Sequence, residues 1–428
     1  MRSAAFESHE QIPETVPADF EPRFSFLALP STWFQPFIRS SDRPPRYHRD
    51  MKLTPFLLDQ WLEQKFSADI EFDLGSSTGP IWTLRELLAL GGDMESLLDT
   101  NLFYTPPAGS GELREELARM ENVHPEHVLV TTGAAEALLI LFHAAAEPGA
   151  NVVLPHPGFP SNEAIADSFG LEIRRYRLRP ENGFQIDCTE IQRLVDGNTR
   201  FVLVNSPHNP TGAVVSESAM DALHDFCVER EVQLVCDQVY HPIYHGTPVR
   251  SAARLPGVTV ISDFSKALCL GGLRIGWMIE RDARRREAYL NARSYFTVSS
   301  TVIAEKLAAL AARRREIIYD RARSIAQANL QLVDRLFSEH ADVFQWVRPA
   351  GGMTAFPWLT NGMDARGFCR IVAQRGVLLV PGDCFGCPAH FRLGFAASGE
   401  RFPRAIERFA AVLDEGIPVE RAATVRGR

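Results

Sequence analysis

Lysine is nearly missing from this chain: Lys52, Lys65, Lys266 and Lys306 stand against 41 arginines in 428 residues. Arginine has taken almost every place where a generic positive charge suffices. The other absences are as useful. No basic stripe or interleaved aromatic–arginine patch is present and the net charge is −8, with a pI near 5.9, which argues against nucleic-acid binding. The longest apolar runs, such as 134–146, are too short and interrupted to span a bilayer. The N-terminus lacks the charged, apolar and small-residue succession of a secretory leader. Seven cysteines, an odd number without framework spacing, fit a reduced cytoplasm. Cys384-Phe385-Gly386-Cys387 has no second pair to complete a zinc site, so these cysteines read as turn residues.

What is present is a 45% hydrophobic chain able to bury a large core, expected in two lobes. Residues 1–50, rich in Pro, Phe and Ser, read as an extension, partly disordered or draped as an arm. Met51 opens an amphipathic helix running to Trp61. Residues 51–94 are expected to begin the smaller lobe, 95–300 to form the larger one, and 301–428 to complete the smaller. From about residue 95, helices alternate with continuous apolar strands: 127–131, 151–154, 201–205, 232–236 and 258–262. Continuous rather than alternating strands belong to a mostly parallel, fully covered sheet, so the fold class is α/β. Its ligand crevice lies at the carboxyl ends of the strands. Long helices near 300–338, a strand-rich part over 342–395 and a helix over 404–413 make the small lobe α+β. The arginine clusters 281–286 and 313–315 read as solvated helix faces or subunit contacts.

The strand-end loops carry the chemistry. Lys266, in Ser262-Asp263-Phe264-Ser265-Lys266, sits between an apolar run and a glycine-rich turn. Only a primary amine that can lose its proton condenses with an aldehyde; a guanidinium stays charged. Alone, the position is equally compatible with a surface lysine kept by chance. Thr131-Thr132-Gly133-Ala134-Ala135-Glu136 follows a strand and opens an apolar helix, where small residues let N–H groups approach a phosphate. Asn205-Ser206-Pro207-His208-Asn209-Pro210-Thr211-Gly212 fixes Asn209 between prolines after a buried strand. Asp237 ends another strand, with Tyr240 three residues on; a carboxylate there needs a cation, or else it caps a helix. Gly271-Gly272-Leu273-Arg274-Ile275-Gly276 lets the chain double back and return Arg274 towards Lys266.

In combination these strings resemble the class I/II aminotransferases, fold-type I enzymes that use pyridoxal 5′-phosphate, over roughly residues 51–415. The resemblance implies that Lys266 carries the cofactor as an imine and that 95–300 is the cofactor-binding domain. It also implies that Asp237 keeps the ring nitrogen protonated and that Asn209 and Tyr240 bond the ring's phenolic oxygen. Gly133, Ala134, Ala135, Ser265 and Arg274 match the phosphate cup, and Phe159 matches the aromatic stacked on the ring. Tyr104 matches a tyrosine reaching the partner subunit's phosphate, which implies a homodimer with shared sites. Arg392, in Phe391-Arg392-Leu393, matches the fork for the substrate α-carboxylate. Ser77, Thr78 and Trp82 are expected on the substrate side. Asp263 departs from the pattern, standing where relatives place Ser or Thr, and a carboxylate is repulsive to a phosphate.

The resemblance implies transamination of a small-molecule L-amino acid, with Lys266 as general base over Cα. The strings 73–87, 293–299 and 349–356 look like the capreomycidine synthase-like branch, implying cyclisation or elimination on an arginine-derived amino acid as the alternative. Arg293 is expected to form a structural ion pair rather than read a substrate carboxylate. A non-catalytic sensor would need a basic winged-helix module that residues 1–50 do not supply. A dinucleotide-binding dehydrogenase would need a glycine fingerprint that Gly133-Ala134-Ala135 does not provide.

Overall fold

A computed structural model describes residues 53–66, 69–360 and 363–415. The extension expected over residues 1–50 lies outside them. The helix expected from Met51 spans only Leu57–Leu62; Pro55 removes a donor and biases Thr54 away from helical dihedrals, so winding starts after it. Among the described residues, no helix is long and apolar enough to cross a membrane.

Seven strands form the central sheet: β1 (Val128–Thr131), β2 (Asn151–His156), β3 (Glu172–Arg177), β4 (Thr199–Asn205), β5 (Gln233–Asp237), β6 (Thr259–Asp263) and β7 (Gly276–Ile279). Their spatial order is β1-β7-β6-β5-β4-β2-β3, with β7 alone antiparallel to its neighbours. The five strands read from apolar runs are all present within two residues. Two others were hidden in the sequence. β3 is an edge strand whose Glu-Ile-Arg-Arg-Tyr-Arg run buries only Tyr176, so half of it reads as surface. β7 is four residues long and begins directly behind the glycine turn.

The register fixes what meets at the sheet's edge. Asn205 pairs with Asp237, and Gly276 lies opposite both Thr131 and Asp263. All four loops singled out in the sequence therefore leave one edge, above strands whose buried apolar side chains each contribute on the order of 1.5–3 kcal/mol.

A smaller sheet brings in the C-terminal part. There β10 (Phe391–Gly394) lies between β8 (Thr354–Ala355) and β9 (Val380–Pro381), antiparallel to both. The segment before β8 docks on the Asn209 loop: the N–H groups of Ala350 and Gly351 both donate to the Gly212 carbonyl, at 2.9 and 3.0 Å. Gly212 has φ +70°, and a Cβ there would stand 2.3 Å from Pro349 Cβ, so both dihedral and space require glycine. At the other end, Phe72–Asp73 pairs in parallel with Val377–Leu378.

The first arginine cluster differs from expectation. Arg285 pairs with fully buried Glu280 at 2.9 Å, Arg281 donates to the carbonyls of Ala253 and Leu255, and Arg286 donates to those of Glu280 and Arg281. Glu280 has no exposure, and a buried carboxylate draws in cations that would otherwise be solvated.

Candidate active site

β6 delivers Lys266. Immediately after it, Asp263 Oδ1 accepts the Ser265 N–H at 2.9 Å and fixes the turn. The Asp263 side chain thus bonds its own backbone, and no arginine pairs with it among the described residues. Half-buried Lys266 donates from Nζ to Ser77 Oγ at 3.0 Å. The Ser77 carbonyl accepts the Tyr240 hydroxyl at 2.9 Å. The loop bearing Ser77 is shaped by Asp73, whose Oδ1 accepts the N–H groups of Gly75 and Ser76 at 2.7 and 3.1 Å.

Asp237 closes β5 at 6% exposure. Its Oδ1 accepts the Val239 N–H at 3.2 Å, and no cation stands within ion-pair distance among the described residues. Burial pushes its carboxyl up to about 7, Asp263 adds to the rise, and the Val239 N–H and Lys266 oppose it. Asn205 ties this strand end to the next loop: its Nδ2 donates to the Asp237 carbonyl at 3.1 Å and its Oδ1 accepts the Asn209 N–H at 2.7 Å.

Arg274 reaches back with a left-handed backbone, φ +54°. Its Nη1 lies 3.2 Å from the Gly271 carbonyl and 3.5 Å from Ser265 Oγ. Gly133 has φ +74°, which favours glycine, and a Cβ there would stand 2.7 Å from Arg274 Nη2 and push the guanidinium aside. Gly133 opens the helix α1 (Gly133–Ala145), whose preceding Thr132 offers no side-chain cap. Gly133 and Ala134 are buried while Ala135 faces out. Uncapped N–H groups, a guanidinium and a hydroxyl within one small cradle suit an anion. A flat cationic ring carrying a phosphate would give Asp237 its missing cation and this cradle its missing anion.

Above the sheet, β10 presents Arg392 at 2% exposure. Nη1 donates to Asn209 Oδ1 at 3.3 Å and Nη2 to the Gly75 carbonyl at 2.8 Å, while buried Nε has no hydrogen-bond partner among the described residues. The Phe385 ring lies 5.2 Å from its guanidinium carbon.

The family model for aminotransferase class I and II matches residues 82–409. The chain belongs to this family. It is 32% identical over 367 residues to capreomycidine synthase from Streptomyces vinaceus, covering 84% of this chain and 92% of that protein. A pyridoxal-phosphate-dependent aminotransferase from Streptococcus suis superposes with a TM-score of 0.79 at 28% identity, over 85% of this chain and 98% of that one. The pyridoxal-phosphate-dependent cyclase OrfR superposes at 0.78 with 25% identity, over 88% of this chain and all of that one. The fold is that of the fold-type I enzymes, and the relatives are pyridoxal-phosphate-dependent enzymes, mostly aminotransferases.

The remaining residues read from the sequence lie further out. Trp82 carries the Arg321 guanidinium 4.5 Å above its ring and lines a cleft of about 420 Å³ with Thr78, Gly79, Ser265 and Gly271. Phe159 precedes the helix Pro160–Ser168 and meets Phe56 edge-on at 6.0 Å. Tyr104 packs edge-on against Phe103 and is 72% exposed. No hydrogen bond or ring contact joins Phe159 or Tyr104 to Lys266, Asp237 or Arg274 within the described residues. Arg293 makes an ion pair, 3.8 Å from Glu136, and donates to Ser300 Oγ at 2.7 Å and to the Pro107 carbonyl. Sequence reading missed Asn205, the Gly75 carbonyl and Phe385. Only Phe385 left a signal: an aromatic held in a tight turn seven residues before Arg392.

Proposed function

We propose that this protein is a pyridoxal 5′-phosphate-dependent aminotransferase acting on an L-amino acid, with Lys266 as its covalent anchor and proton carrier. One observation carries the reading. Lys266, Asp237 and Arg392 converge on one crevice without an ionic partner among the described residues, which costs folding energy unless a ligand supplies the countercharges. Bound in that crevice, the cofactor supplies an aldehyde for the amine to join and an electron-poor ring that stabilises negative charge at Cα.

Every other task falls to this chain. Asp237 would hold the proton on the ring nitrogen, a pairing that its burial would strengthen. Asn209 and Tyr240 would hold the ring's phenolic oxygen, and Arg274, Ser265 and the residues 133–135 would hold the phosphate. Phe159 would pack on the ring. Arg392 would grip the substrate carboxylate with two parallel N–H groups and so orient the Cα–H bond. Lys266 Nζ, which rests on Ser77, would take that proton, with Ser77 and Trp82 flanking the side chain.

The same reading includes two lobes, 51–94 with 301–428 and 95–300 between them, and a homodimer in a reducing cytoplasm. Exposed Leu102, Phe103, Tyr104 and Tyr295 support a second copy as the cover for that face. All seven cysteines are free, as a reducing compartment requires. A second reading, cyclisation or elimination on an arginine-derived amino acid, draws support from the similarity to capreomycidine synthase and OrfR.

Product analysis separates the two. Incubated with a panel of amino acids and keto acids, an aminotransferase releases a keto acid and transfers nitrogen, whereas the alternative yields a cyclic product, or ammonia, without consuming an acceptor. Reduction with borohydride should fix the cofactor's mass on the Lys266 peptide. Lys266→Ala should lose that mass and at least about 10³-fold in turnover. Label found on another lysine would refute the assignment.

A further inference from the structure

We infer that Phe385 is a positioning residue for Arg392, and that the Arg366–Asp383 ion pair keeps Phe385 in place. The inference rests on the reading of Arg392 as the carboxylate fork. Of the five N–H donors of that guanidinium, one each from Nη1 and Nη2 meets a neutral oxygen, the first at 3.3 Å, and Nε meets none. A bond that long restrains a planar group weakly. The shorter Nη2 bond to the Gly75 carbonyl, 2.8 Å, pins one corner of the group, and the ring beneath it, 5.2 Å from Cζ, restrains its tilt about that corner. Arginine stacks on aromatic faces because its flat cation is weakly hydrated, and the contact strengthens where water is excluded. Both partners are almost fully buried here.

Phe385 is itself held from two sides. Its ring meets Phe356 at 5.7 Å, nearly perpendicular. It ends the short turn Gly382–Phe385, which begins where the Gly382 N–H donates to the His390 carbonyl at 2.7 Å, two residues before Arg392. Asp383 in that turn binds Arg366 through both carboxylate oxygens, Nη2 to Oδ1 at 3.0 Å. The Arg366 guanidinium lies 5.1 Å over Trp61, whose Nε1 donates to the Leu379 carbonyl at 2.7 Å, just before β9. A continuous line of contacts thus runs from the helix Leu57–Leu62 through Trp61, Arg366, Asp383 and Phe385 to Arg392. Arg366 and Asp383 are each partly exposed, so they anchor the turn, and the buried ring acts on the guanidinium.

The test compares two probes on the cofactor-loaded enzyme, read by the change in cofactor absorbance. 2-Methylalanine carries a carboxylate but no Cα hydrogen, so it binds without turnover; tert-butylamine has a methyl in place of the carboxylate and likewise no Cα hydrogen. Phe385→Leu should weaken 2-methylalanine about tenfold and tert-butylamine less than about twofold. Phe385→Tyr, which restores a ring, should keep both within about twofold of wild type, and Asp383→Asn should weaken 2-methylalanine about threefold. Phe385→Met, similar in volume and without a ring, gives the same answer if the leucine variant does not fold. Equal weakening of both probes, or of neither, overturns the inference. Arg392→Leu is the control: if it leaves the ratio of the two affinities unchanged, the reading of Arg392 itself fails, whatever Phe385 does.

Discussion

Arg293 and Arg392 are both buried, at 0% and 2% exposure, and burial works against the charge of each. Their surroundings differ in one respect. Arg293, on the helix α2 (Ala283–Phe296), is answered from within the chain by Glu136, with Ser300 and Pro107 taking its other donors. Arg392 meets only an amide oxygen, a backbone carbonyl and a ring face, with no carboxylate at ion-pair distance among the described residues. A buried cation left without an anion is stable only if something else brings one. The contrast separates an arginine neutralised within the chain from one left without an anion among the described residues, as the carboxylate fork proposed for Arg392 requires.

The comparison can be broken most sharply at Arg293. Arg293→Met leaves Glu136 buried and uncompensated, which should cost about 3–5 kcal/mol in denaturant unfolding, and adding Glu136→Gln should recover most of it. A loss below about 1 kcal/mol would mean that the pair holds nothing together. Arg392→Leu should do the reverse: kcat/KM for an amino acid falls about 10²-fold while unfolding changes little, because the lost charge had no ionic partner to strand. If stability falls and substrate discrimination survives, the two arginines have the same role and the contrast is false.

A smaller effect is expected at Asp237. Its folded value near 7 lies above the ordinary aspartate value of about 3.9, so its contribution to stability is complete below about 4 and is lost as pH rises towards about 7. The cofactor-free protein should therefore weaken over that window, on the order of 2 kcal/mol across its acid side. Asp237→Asn should flatten the slope, as should the bound cofactor. Identical pH profiles for variant and wild type would show that this carboxylate is already paired.

The uneven legibility of the sequence follows from the same physics. Lys266 could be read because only one residue type can do its chemistry and the chain has almost no others. The five central strands could be read because fully covered strands are continuously apolar. Arg293 and Arg392 could be told apart only through resemblance, since Glu136 lies 157 positions from the arginine it neutralises. In the cluster 281–286, Arg281, Arg285 and Arg286 turn inward for a related reason: Glu280 is a surface residue by composition and becomes buried only through tertiary packing. β3 hid because an edge strand needs just one covered face. Phe385 hid because its contacts, with Phe356 and Arg392, are made only when the small sheet assembles. Local pattern reports elements, while the pairing of charges is decided at long range.

The two-residue pairing of Phe72–Asp73 with Val377–Leu378 also bears on how the molecule is born. The partners are 305 positions apart, so the chain leaving the ribosome can lay down β1 to β7, with Lys266 on its loop, long before that bridge can close. Until then the stretch carrying Gly75 and Ser77 is held only through Lys266 and Tyr240, and the Gly75 carbonyl lacks Arg392. A nascent chain stalled before residue 377 would hold the anchor and lack the opposite wall, which makes completion of the C-terminal end the moment at which chemistry becomes available.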